Sequence, residues 1–83
     1  MEHLYNGIPI ESGNGDIRVV HTLLQITDAL TDGNWPSDGP MFLAALAALV
    51  EARMGRRSPR DVQRAFISAA MEADVLEASF MKN

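Results

Sequence analysis

Met41-Phe42-Leu43-Ala44-Ala45-Leu46-Ala47-Ala48-Leu49-Val50 is an unbroken apolar run, bounded by Gly39-Pro40 before it and by Glu51, Arg53 and Gly55 after it. Ala, Leu and Met are strong helix formers, so the run predicts a helix. Pro40 suits its first turn and Gly55 its stop. Every side of this helix is apolar, the pattern of a segment enclosed by its neighbours rather than one with a solvent face. The run rises only about 15 Å, roughly half of what a bilayer requires, so it does not read as a membrane span. It is the expected centre of a small soluble core.

Downstream, Ser58-Pro59-Arg60-Asp61 has the chemistry of a helix start, with Ser58 as cap, Pro59 at the first position and Asp61 at the third. Val62, Phe66, Ala69, Ala73 and Leu76 form the apolar stripe of that helix, flanked by Ala65 and Ala70. Small residues on both helices favour close approach of their axes. Residues 75–80 either continue the last helix or peel off into a short strand against an earlier hairpin.

Upstream, Thr22-Leu23-Leu24-Gln25 fits a capping box, and Leu23, Ile26 and Leu30 then share one helix face. Gly33 is the expected stop. Trp35 is expected to fold onto the core, its ring N–H bonded to a backbone carbonyl or water. Ile8 to Ser12 and Asp16 to His21 read as two strands joined by Gly13-Asn14-Gly15, residues that tolerate a tight reversal. Pro9 pushes the first strand towards an edge, and Ile17 and Val19 alternate with Arg18. Two strands are marginal in water, so one face must pack on the helices. The expected architecture is α+β: an N-terminal β-hairpin packed on a cluster of three helices, in the order β-β-α-α-α. Residues 1–7 are expected to be loosely ordered, 8–80 to form the single domain and 81–83 a tail.

Trp35-Pro36 followed by Gly39-Pro40 and the alanine-rich helix forms one recognisable pattern. Ser58-Pro59 followed by Ala65-Phe66-Ile67-Ser68-Ala69-Ala70-Met71-Glu72-Ala73 forms a second. With the preceding hairpin and helix they resemble the small bacterial, rhizobial-type family catalogued as domain of unknown function 982, over about residues 8–76. The resemblance implies a compact α+β domain of this length, and it carries no assigned activity and no catalytic residue. Two positions depart from the family pattern. Asp74 stands where relatives commonly have Gly for a left-handed stop. Gln63, beside Arg64, stands where they tend to have Arg.

A chain of 83 residues is one domain that buries roughly 60–65% of its unfolded surface, so modest stability is expected. It has no cysteine, hence neither disulfides nor thiolate chemistry. The N-terminal residues lack the basic region and apolar core of a signal peptide, and the expected location is cytoplasmic.

The net charge of −4 argues against a general nucleic-acid binder. Arg53, Arg56, Arg57, Arg60 and Arg64 nevertheless fall close together. With Ser58 they form the candidate anion-binding group, since Gly55-Arg56-Arg57-Ser58-Pro59 precedes a helix start where free N–H groups favour an anion. The competing reading is structural: arginines that complement the negative pole of the central helix, with Arg60 paired to Asp61 or Glu51. Two helices joined by a Gly-containing turn are also reminiscent of a helix-turn-helix, but Arg60, Gln63 and Arg64 stand beside Asp61 and Glu72 and make no run of base-reading side chains.

No enzyme motif is present. His3 and His21 lack metal-ligand spacing, Gly13-Asn14-Gly15 lacks the third glycine of a phosphate loop, and no serine has an adjacent base. Asp28, Asp32, Glu72 and Glu77 read as solvated helix faces. No cofactor, metal or catalytic residue is therefore expected. Met41, Met54, Met71 and Met81 read as core beside Ala and Leu, or else as an adaptable binding surface. The apolar content exceeds what so short a chain hides, which favours a protein-interaction or regulatory module with an unknown protein partner, self-associating as a homodimer. The runner-up is anion or nucleic-acid binding through the arginines.

Overall fold

A computed structural model of the chain describes residues 3–11, 15–32, 35–36 and 38–76, with the side chains of 3–6 left aside. Strands β1 (His3–Glu11) and β2 (Ile17–Thr22) form an antiparallel hairpin, followed by helices α1 (Leu23–Leu30), α2 (Pro40–Arg53) and α3 (Pro59–Glu72). This is the expected α+β order. β1 begins at His3, so residues 3–7, expected to be loosely ordered, contribute to the strand. Gly13, Asn14, Gly33 and the 81–83 tail lie outside the described residues.

The hairpin register pairs Ile8 with Val20, Pro9 with Val19, Ile10 with Arg18 and Glu11 with Ile17, with an irregularity between His3 and Ile8. Ile8, Ile10 and Val20 are buried against the helices. Ile17 and Val19 are 56% and 42% exposed, so the apolar residues that alternate with Arg18 face outward. The side-chain period of two explains this: once Val20 joins Ile8 in the core, Val19 and Ile17 must take the other face.

The capping box at α1 is formed as its sequence requires. The Thr22 hydroxyl accepts from the Gln25 amide at 3.1 Å, and Gln25 Oε1 accepts from the Thr22 amide at 3.2 Å and the His21 amide at 2.6 Å. Ile26, Ala29 and Leu30 then point into the core. Phe42, Ala45, Ala48 and Leu49 of α2 meet a core shared with Val62, Phe66, Ala69 and Ala70 of α3. Alanines on both sides let these two helices pack closely. Trp35 lies over Phe66 with ring centroids 5.5 Å apart and planes at 34°. The bond expected from its ring N–H to a backbone carbonyl is not formed among the described residues.

α2 and α3 end in the same way. Gly55 takes φ 80°, its amide donates to the Ala52 carbonyl at 3.1 Å, and Arg56 donates to Glu51 at 2.8 Å. Asp74 takes φ 60°, its amide donates to Met71 at 3.2 Å, and Val75 donates to Ala70 at 3.0 Å. Each is a left-handed residue followed by a long return bond that satisfies two terminal carbonyls. Asp74 thus makes a left-handed stop without a glycine. Beyond it the chain peels away from the helix: Leu76 bridges to Ile10, and the Glu11 amide donates to the Val75 carbonyl at 2.7 Å. Residues 77–80 lie outside the described part.

One expectation about α2 is overturned. The helix is not enclosed: Leu43, Val50 and Met54 are 57%, 55% and 57% exposed. α3 and, less extensively, α1 cover only one side of it, so uniform apolarity leaves the other side bare. The methionines follow suit, since Met41, Met54 and Met71 are all exposed rather than core, while Met81 is outside the described residues.

Candidate functional site

The arginine group is assembled by the turn from α2 to α3. Arg53 sits in the last turn of α2, where a cation complements the helix dipole. Gly55 reverses the chain and Arg56, Arg57 and Ser58 follow, all exposed. Arg57 Nε donates to Glu51 Oε1 at 2.7 Å in a solvent-exposed ion pair. Glu51 thereby pairs with Arg57, not with Arg60. Ser58 caps α3, its hydroxyl accepting from the Asp61 amide at 3.2 Å, and Asp61 adds an acid to that first turn. Arg60 and Arg64 stand one turn apart and exposed on α3. Among the described residues Arg53, Arg56, Arg60 and Arg64 make no ion pair.

The opposite end of α2 carries acid instead. Gly39 occupies the cap position and has no side chain to serve the free amides of the first turn. Glu72, at the end of α3, supplies what is missing. Its carboxylate accepts from the Met41 amide at 3.1 and 3.2 Å and from the Phe42 amide at 3.1 Å. A Cβ on Gly39 would collide with that carboxylate. Sequence reasoning placed Glu72 on a solvated face and missed this role. The available signal was a glycine cap followed by a first turn with no acid of its own.

Between the two charged ends runs a bare seam. Leu43, Ala47, Val50 and Met54 recur at i, i+4, i+7 and i+11, the spacing of one helix face, and all four are exposed. Phe42, Ala45, Ala48 and Leu49 occupy the opposite face. No charged side chain interrupts the seam, which spans about 16 Å along the axis. A groove between α1 and the C-terminal end of α2 is lined by Leu23, Leu24, Thr27, Ala52 and Arg53, with Leu24 70% exposed.

The model of a family described as protein of unknown function (DUF982) matches residues 6–77. The chain belongs to this family. The match includes most of the hairpin, all three helices and the Leu76 bridge. No curated protein and no solved structure matches the chain. Among the described residues of this DUF982 chain no group of three or more His, Asp or Glu side chains is placed to hold a metal ion. No described helix is long and apolar enough to cross a membrane.

Proposed function

We propose that this chain is a protein-interaction module, regulatory rather than catalytic, whose working surface is the outer face of α2. The observation that supports this most is the seam of Leu43, Ala47, Val50 and Met54, with three large apolar side chains more than half exposed on one uncharged helix face. Isolated apolar residues on a surface need no explanation, but an aligned set does, because contiguous apolar patches mark docking sites. Helix faces of this kind are read by partners through anchors at i, i+4 and i+7. The reading needs no cofactor, and we take the chain to act in the cytoplasm.

Its test is a pull-down with tagged full chain, comparing wild type, Val50→Glu and the Arg60→Ala/Arg64→Ala double variant, with bound protein and nucleic acid both identified. Retention of one protein by wild type and by the arginine variant, with loss on Val50→Glu, is the expected result. Retention by all three forms removes the α2 face from the reading.

A second reading, anion or nucleic-acid binding through Arg53, Arg56, Arg57, Ser58, Arg60 and Arg64, draws on the four arginines that lack ion-pair partners among the described residues. Ser58 and Asp61 weigh against it, since the first turn of α3 already has its cap and its negative charge. Salt-sensitive binding of DNA or of phosphate compounds, lost in the double variant, would restore it.

A further inference from the structure

We infer that the occupant of the α2 face is a second copy of this chain, docked with its own α2 antiparallel across a two-fold axis. The inference rests on the reading of that face as an interaction surface and names its partner. Three observations carry it.

The first is the spacing of the seam. A two-fold axis midway between Ala48 and Leu49 sets Leu43 opposite Met54 of the second copy and Ala47 opposite its Val50. Every exposed seam residue then meets another, with large side chains facing at the ends. The smaller Ala47 and Val50 sit nearest the axis, where helices 8–10 Å apart leave least room.

Charge complementarity is the second. α2 is bare and uncharged along the seam but has opposite signs at its ends. Asp38 and the Glu72 carboxylate stand at its N-terminus, and Arg53 and Arg56 at its C-terminus. An antiparallel pair brings the Arg53 and Arg56 end of one copy beside the Met41 end of the other, where Glu72 lies. Glu72 gives its oxygens to two backbone amides and retains lone pairs for a guanidinium. A parallel pair would set like charges together at both ends.

Size is the third. A seam of about 16 Å covered by one helix of equal length is a small contact, at or below the lower bound of about 1,000 Å² in total for specific interfaces. A weak, reversible dimer is expected, rather than an obligate one.

The chain lacks cysteine, so introduced thiols report the register cleanly. In this arrangement the two copies of residue 47 are offset by only about 4–5 Å along the axis, whereas the two copies of residue 43 are offset by about 16 Å. A disulfide spans Cα atoms up to about 7 Å apart. Sedimentation of wild type from micromolar to millimolar concentration should show a monomer–dimer equilibrium. Ala47→Glu, an exposed change to a good helix former, and Arg56→Glu should each weaken it about tenfold or more, with circular dichroism and melting confirming the fold. Under oxidation Ala47→Cys should cross-link to itself and Leu43→Cys should not, while Leu43→Cys mixed with Met54→Cys should.

A strictly monomeric wild type overturns the inference, as does a dimer indifferent to Ala47→Glu or self-cross-linking of Leu43→Cys. If wild type is monomeric yet Val50→Glu loses a different protein partner, the second copy falls and the interaction surface stands. If it is monomeric and no partner depends on Val50, both fall.

Discussion

The carboxylate of Glu72 occupies the space that a side chain on Gly39 would fill, and from there it accepts the Met41 and Phe42 amides. The end of α3 is thus tied to the start of α2 by a cap contributed from 31 residues away. Glu72→Ala should destabilise the fold by about 1–2 kcal/mol, the usual cost of losing a cap with charge-assisted bonds. Gly39→Ala should cost about 1 kcal/mol, since the flexible carboxylate can swing aside but then leaves the amides. The double variant should cost clearly less than the two added, and urea unfolding of all four proteins measures this coupling.

The left-handed residues that end α2 and α3 make opposite predictions. Gly55→Ala should destabilise by about 1 kcal/mol, because φ 80° is strained for any residue with a Cβ. Asp74→Gly should stabilise by about 0.5–1 kcal/mol by relieving the same strain at φ 60°. Thermal and urea midpoints of the two variants, shifting in opposite directions, check the pair.

Phe66 is fully buried beneath Trp35 and joins α3 to the rest of the core. Phe66→Ala should cost about 3–5 kcal/mol, most of the stability expected of a domain this small. Loss of cooperative unfolding and a red shift of the single tryptophan's emission report it. Val50→Glu, on the exposed side of α2, should leave the same midpoint within about 0.5 kcal/mol of wild type.

The Glu51–Arg57 ion pair is exposed, and Arg57→Ala should change stability by less than about 0.5 kcal/mol. Repeating the urea titration at low and high salt checks this, because what little the pair contributes should be screened.

Much of this molecule is local chemistry and was readable as such. Thr22 with Gln25, Ser58 with Asp61, Pro40 and Pro59 in first turns and Gly55 at a stop mark helix ends through contacts within a few residues, and each is formed. The arginine group was also visible, since its members are neighbours in the chain. Less legible were relationships between distant segments. Nothing local shows that Glu72 serves α2, that Leu76 returns to Ile10, or that Glu51 takes Arg57 in preference to Arg60.

Local propensity and hydrophobic period thus established a hairpin and three helices in order, because capping, turn formation and helix preference act over a few residues. Which faces those elements hide was decided by packing alone. α2 is apolar all round, so its sequence names no inside, and Val19 and Val20 are equally fit for burial until Ile8 chooses one. The core took Phe42, Ala45, Ala48 and Leu49 because α3 presented alanines that allow close approach, and with no further element to cover them, Leu43, Val50 and Met54 were left outside.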